Sequence, residues 1–205
     1  MRRTKSDAFS LRRGWSELIP GDAGLGQADR GANTEIHEVG IGLGSNLGES
    51  VSILQTAWRR LGEHPAIIPL ALSPPYRSQP VEMVSTRWFV NAAALVRTTL
   101  TPLALLQVLQ TIETLSGRVR SVRATGYRDR TLDLDLLFYD DLIVHSDSLV
   151  IPHPRMEQRL FVLVPLCDIA AEYVHPLLGK QVRELLGDLL KNTDNQVVEK
   201  LAWPQ

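Results

Sequence analysis

The apolar positions of this chain change period several times, and each change marks an element. From His37 to Ser45, Val39, Ile41 and Leu43 alternate with smaller residues, which predicts a strand. It ends in the polar turn Gly44-Ser45-Asn46-Leu47-Gly48, whose glycines permit positive φ. Ser50 opens a helix with Val51, Leu54, Trp58 and Leu61 on one stripe, closed by Gly62 and Pro65. Ile67 to Leu72 predicts a second strand, Ser73 to Val81 a proline-stiffened loop, and Phe89 to Thr98 a third strand. Thr101-Pro102 is a cap with proline at the first helical position; Leu103, Leu106, Leu109 and Ile112 form that helix's apolar face, and Gly117 ends it.

The next strand carries the most chemistry. From Arg130 to Tyr139, Leu132, Leu134, Leu136 and Phe138 fall on one side and Asp133, Asp135, Leu137 and Tyr139 on the other. Both carboxylates therefore leave the same face, roughly 6–7 Å apart at the backbone. Adjacent anions repel and depress β propensity, and a hard divalent cation bridging to phosphate oxygens is the usual compensation. Arg118, Arg120, Arg123, Arg128 and Arg130 lie just upstream, with only Asp129 against them. Carboxylates for metal beside arginines for phosphate point to metal-assisted phosphoryl transfer. A solvated strand neutralised by salt bridges is the competing reading of the same residues.

Beyond that strand, Leu142 to Val144 and Leu149 to Ile151 predict a short hairpin, and Met156 to Leu166 a helical run. Val182, Leu185, Leu186 and Leu189 mark a final amphipathic helix. The order strand–helix–strand–strand–helix–strand predicts an α+β fold. Its ferredoxin-like core is an antiparallel sheet flanked by helices, which lie on one sheet face, and the chain adds C-terminal helices. Residues 1–37, rich in glycine and charge without sustained apolar period, are expected to be a disordered extension. Residues 38–192 form one domain and 193–205 a C-terminal tail.

Composition narrows the classes. At 205 residues with a net charge of −1, the chain suits one domain and argues against non-specific nucleic-acid binding. One cysteine, Cys167, excludes an internal disulfide. No apolar run reaches membrane-spanning length, so a cytoplasmic protein is expected. A Walker-type phosphate loop and a protein-kinase signature are both missing, and the five histidines show no metal-ligand spacing.

Six blocks carry a resemblance: Gly42 to Gly48, Tyr76-Arg77-Ser78, Phe89-Val90-Asn91-Ala92, Gly117 to Arg120, Arg130 to Asp135, and Ile151-Pro152-His153-Pro154-Arg155. In this order they resemble the 6-hydroxymethyl-7,8-dihydropterin pyrophosphokinases, from about Val39 to Leu190. The resemblance implies transfer of the pyrophosphoryl group of ATP to the pterin hydroxymethyl oxygen, releasing AMP. It places two magnesium ions on Asp133 and Asp135, and gives Arg118 and Arg130 the phosphates during transfer. Ser78, Val81, Phe89, Asn91 and Phe161 are implied to bind the pterin, and Gln110, Glu113, Arg120, His153 and Arg159 the ATP. Partners are then small molecules, with no nucleic acid and no membrane, and a monomer is expected. The chain departs from the family where Tyr127-Arg128-Asp129-Arg130 replaces a Trp-Gly-Pro-Arg or Gly-Pro-Arg run. Arg130 is expected to aim at phosphates and Asp129 to turn outward. A nucleotidyltransferase on the same core, or a catalytically silent ligand-binding module, are the alternatives.

Overall fold

A computed structural model describes residues 35–81, 85–118, 129–193 and 196–204. Strand β1 (His37–Ser45) follows its alternation, with Val39, Ile41 and Leu43 buried on one face. Helix α1 (Ser50–Glu63) buries Leu54, Ala57 and Leu61, and leads to β2 (Ile67–Leu72). After β4 (Phe89–Thr98), Thr101 caps α2 (Pro102–Leu115) by accepting a hydrogen bond from the Ala104 amide at 3.3 Å. Gly117 follows with φ +83°, the left-handed turn that glycine allows at a helix end. Strand β5 (Asp133–Tyr139) carries the two carboxylates. A hairpin of β6 (Val144–His145) and β7 (Val150–Ile151) precedes α3 (Leu160–Ala170) and α4 (Val182–Asn192).

All sheet pairings are antiparallel, in the order β5-β1-β4, with β2 and the short strand β3 (Tyr76–Ser78) both on the far edge of β4. This is the ferredoxin-like arrangement expected. One face packs on α1 and α2 through Leu54, Leu61, Leu105, Leu109 and Ile112. The other face packs on α3 and α4 through Leu163, Leu166, Val182 and Leu185, so the C-terminal helices cover the side that the core leaves bare. No helix among the described residues is long and apolar enough to cross a membrane.

Several expectations are corrected. The segment Ser73–Val81 is not all loop, because Tyr76–Ser78 finds partners on both sides, β4 and the edge strand β8 (Val198–Lys200). The stretch read as a C-terminal tail thus completes the sheet, and the Trp203 indole donates to the Ser73 carbonyl at 3.0 Å. On α2 the buried stripe is Leu105, Val108, Leu109 and Ile112, while Leu103 is 54 % exposed. Leucines lie on most sides of this helix, so periodicity leaves its phase open and contact with the sheet decides it. The helical run after His153 splits into a 3-10 turn (Met156–Gln158) and α3, with Arg159 extended between them.

The strict alternation of β5 also fails, at one residue. Gly40 pairs with Phe138 but Ile41 with Leu136, leaving Leu137 as a bulge. Phe138 therefore joins Leu137 on the α3–α4 face and stacks on Tyr173 at 3.7 Å, and Tyr139 turns to the α1–α2 face. Gly40 makes this fit, since a Cβ there would stand 2.3 Å from the Phe138 ring.

Candidate active site

The alternation that buries Val39, Ile41 and Leu43 sets glycines at positions 40, 42 and 44 on the opposite face of β1. Gly44 pairs with Asp133 on one side and Asn91 on the other, and Gly42 with Asp135 and Ala93. The missing side chains leave a trough across the sheet, with Asp133 and Asn91 two strands apart, about 10 Å. At Gly44 a Cβ would come within 3.2 Å of the Asn91 amide oxygen. The trough opens into a cavity of about 440 Å³, roofed by Phe161 and Val162 at the start of α3. Asn91 donates to the Ser78 hydroxyl at 2.8 Å, which fixes a polar edge between otherwise apolar walls.

The β5 end of the cavity is charged. Glu113, 1 % exposed, accepts from the Leu134 amide at 2.9 Å and from the Arg118 guanidinium. The same Arg118 nitrogen donates to Asp133, and Arg130 reaches the other Asp133 oxygen at 2.7 Å. Burial works against the Arg118 charge, and Asp133 and Glu113 more than restore it. Asp135 is pushed up to about 7, first by burial and then by Asp133, with Arg130 and Arg159 only partly offsetting them. A carboxylate so placed calls for another cation. Two hard oxygen donors on one rigid strand suit magnesium, which keeps waters and takes its remaining ligands from phosphate. No group of three or more metal-ligating side chains occurs among the described residues.

His153 hangs from the bulge, its amide donating to the Leu137 carbonyl at 2.8 Å. Burial, and next Arg159, lower it to about 4, so it is neutral at pH 7. Its folded pKa lies below the unfolded value, so its contribution to stability is present above pH 6.5 and lost as the pH falls toward 4. His153→Gln is expected to flatten that acid limb, and urea unfolding of both proteins at pH 7 and pH 4.5 measures it. An identical loss in both would contradict the assignment.

Ser78, Val81, Phe89, Asn91, Phe161, Gln110, Glu113, His153, Arg159, Arg118, Arg130, Asp133 and Asp135 all line this one cavity. Arg120 lies outside the described residues, as do Arg123, Tyr127 and Arg128. Asp129 does turn away from the cavity, as expected. Gln79, Ser148 and Arg155 also line it without having been singled out for a role. Arg155 stands in the proline-histidine block, whereas nothing in the pattern around Ser148 marks it.

Residues 40–171 match the family model of the 7,8-dihydro-6-hydroxymethylpterin-pyrophosphokinases (HPPK). The chain belongs to this family. Pyrophosphoryl transfer from ATP to hydroxymethyldihydropterin, in folate biosynthesis, is the activity of this family. The chain is 41 % identical over 149 residues to the 2-amino-4-hydroxy-6-hydroxymethyldihydropteridine pyrophosphokinase of Methylorubrum extorquens, covering 73 % of this chain and 91 % of that one. To the enzyme of the same name from Bacillus subtilis it is 39 % identical over 132 residues, 64 % of this chain and 77 % of that one. Among solved structures, a Plasmodium falciparum HPPK-DHPS superposes with a TM-score of 0.64 at 18 % identity. That match covers 78 % of this chain and 47 % of the other, so the chain spans about half of such two-part proteins, and the likeness concerns the fold.

Proposed function

We propose that the cavity binds the pterin against Asn91, between Phe89 and Phe161, and magnesium–ATP across Asp133, Asp135 and the arginines. One observation carries the reading: a single cavity joins a carboxylate pair with arginines at the β5 end to an amide-edged aromatic slot at the β4 end. The slot suits a flat heterocycle, with Phe89 and Phe161 supplying ring faces and Asn91, held by Ser78, supplying both donor and acceptor. Magnesium on Asp133 and Asp135, two ions in the full proposal, would spread the polyphosphate charge as the bond to the leaving AMP breaks.

The chain's own residues do the rest. Arg118 and Arg130 are both held on Asp133, at the place where the phosphates of ATP would lie. They stabilise the charge that grows there, which is the main task of a phosphoryl-transfer site. His153, neutral, offers ATP a hydrogen bond without adding charge, and buried Arg159, 5.5 Å from the Phe161 ring, ties the phosphate end to the aromatic slot. Gln110 and Glu113 complete the nucleotide side, with Glu113 fixing Arg118. A monomer is the proposed working form, and size-exclusion chromatography with light scattering checks it. The proposal takes that monomer to work in the cytoplasm.

The test is incubation of the protein with ATP, magnesium and 6-hydroxymethyl-7,8-dihydropterin. AMP and the pterin pyrophosphate are expected, and their absence overturns the reading. Phe89→Ala or Phe161→Ala should weaken pterin binding about tenfold or more, from roughly 1 kcal/mol of stacking plus lost burial, while ATP binding changes little. Isothermal titration with each ligand separates the two. Equal losses for both ligands, with a large fall in melting temperature, would make these rings packing residues instead.

A further inference from the structure

At the position where the chain departs from its family's usual Gly-Pro-Arg run stands Asp129, whose two carboxylate oxygens both have side-chain partners. One oxygen accepts from the Asn46 amide at 2.6 Å and from the Ser85 hydroxyl at 2.8 Å. The other oxygen lies 3.7 Å from the Arg87 guanidinium. These partners come from two different segments: Asn46 from the turn after β1, and Ser85 and Arg87 from the approach to Phe89. Asn46 in turn clamps the neighbouring residue, accepting from the Arg130 amide at 2.7 Å and donating its own amide to the Arg130 carbonyl at 3.1 Å. Asn46 is 6 % exposed, so its side of this clamp is shielded from solvent. From it the Arg130 side chain runs into the cavity to Asp133.

We infer that Asp129 is a positioning residue: its carboxylate latches the segment before Phe89 to the Asn46 clamp and so joins the pterin wall to the phosphate-facing Arg130. A proline or glycine at this place has no side-chain acceptor, so the connection is particular to the aspartate. The Arg87 pair is half exposed and adds little by itself; the work is done by the shared oxygen that Asn46 and Ser85 both reach. Because the latch has one bond toward each substrate, its loss acts on both. The inference rests on the proposed placement of pterin at Phe89 and phosphates at Arg130.

Four proteins test it: the parent, Asp129→Ala, Asp129→Asn and Ser85→Ala. Each is measured for pterin affinity by titration with a non-hydrolysable ATP analogue present, for kcat at saturating substrates, and for melting temperature. Asp129→Ala is expected to weaken pterin binding and to lower kcat, each about tenfold, with a melting temperature within a few degrees of the parent. Asp129→Asn keeps an oxygen that can accept both bonds and should stay within about twofold of the parent in both readouts. Ser85→Ala breaks only the pterin-side bond and should weaken pterin binding without changing kcat. An Asp129→Ala protein that matches the parent, or an Asp129→Asn protein as impaired as the alanine, overturns the latch. So does Ser85→Ala lowering kcat while sparing affinity. A parent that binds pterin but forms no AMP would instead refute the proposed activity, and the affinity readouts would still decide the latch.

Discussion

Alanine at Asp133 or Asp135 is expected to lower pyrophosphoryl transfer by about a hundred- to a thousandfold, the scale on which such sites lose a charge-stabilising group. The two carboxylates are the hard donors of the cavity on its rigid strand, and each faces a β1 glycine that leaves it room. Fold and function should separate cleanly here. Asp135, held up to about 7 by burial and Asp133, carries an aspartate pKa above its unfolded value. The folded state thus retains a proton that the unfolded chain gives up. Its stability benefit is present below about pH 4 and lost as the pH rises through 7. In chelator, Asp135→Asn should therefore melt higher than the parent at pH 8, with a smaller gap at pH 5, although it is inactive. Scanning fluorimetry at the two pH values, with a turnover assay, measures both halves. Near-parental turnover of either alanine variant would remove the metal assignment, and a gap that does not widen with pH would remove the burial argument.

Arg118→Ala is expected to cost both turnover and stability, in contrast to Arg130→Ala, which should cost turnover. Arg118 is bound on one side to Asp133 and on the other to Glu113, which is 1 % exposed. Removing the cation leaves Glu113 buried against its own charge. Breaking such a pair costs on the order of 3–5 kcal/mol, or roughly 10 °C in melting temperature for a domain this size. A second change, Glu113→Gln, removes the stranded charge and keeps an oxygen for the Leu134 amide. The double variant should regain most of the melting temperature and none of the activity, which stays down about a hundredfold or more. Recovery of turnover in the double variant would show that Arg118 acts on Glu113 alone and never meets the phosphates.

Element order and type were legible in the sequence because each long element has one buried face with a clean period. Val39, Ile41 and Leu43 marked β1 and, with the matching blocks downstream, the order of the core. What the pattern could not carry is pairing. Tyr76–Ser78 is too short to show a period, and it is a strand only because β4 and β8 flank it. The phase of α2 was hidden by leucines on several sides. In the site, chemically distinctive residues such as Asp133, Asp135 and His153 were legible, and so was Arg130 beside them. The contributions of Gly42 and Gly44 were not, since an absent side chain registers in sequence as a weak strand former, and only a sheet shows it as space. Asn46 read as turn material for the same reason: its three bonds to Asp129 and Arg130 cross more than eighty residues.

The bulge at Leu137 has a consequence for how this strand tolerates change. On the N-terminal side of it β5 presents Asp133 and Asp135 to solutes. On the C-terminal side it gives Phe138 to Tyr173 and the Tyr139 hydroxyl to the Leu100 carbonyl at 2.6 Å. The extra residue resets the phase between these halves, so the aromatic anchors keep their grip on both helix layers whatever occupies the two acidic positions. The strand behaves as two modules spliced on one ladder, a working end and a mounting end, and the first can be rewritten without loosening the second.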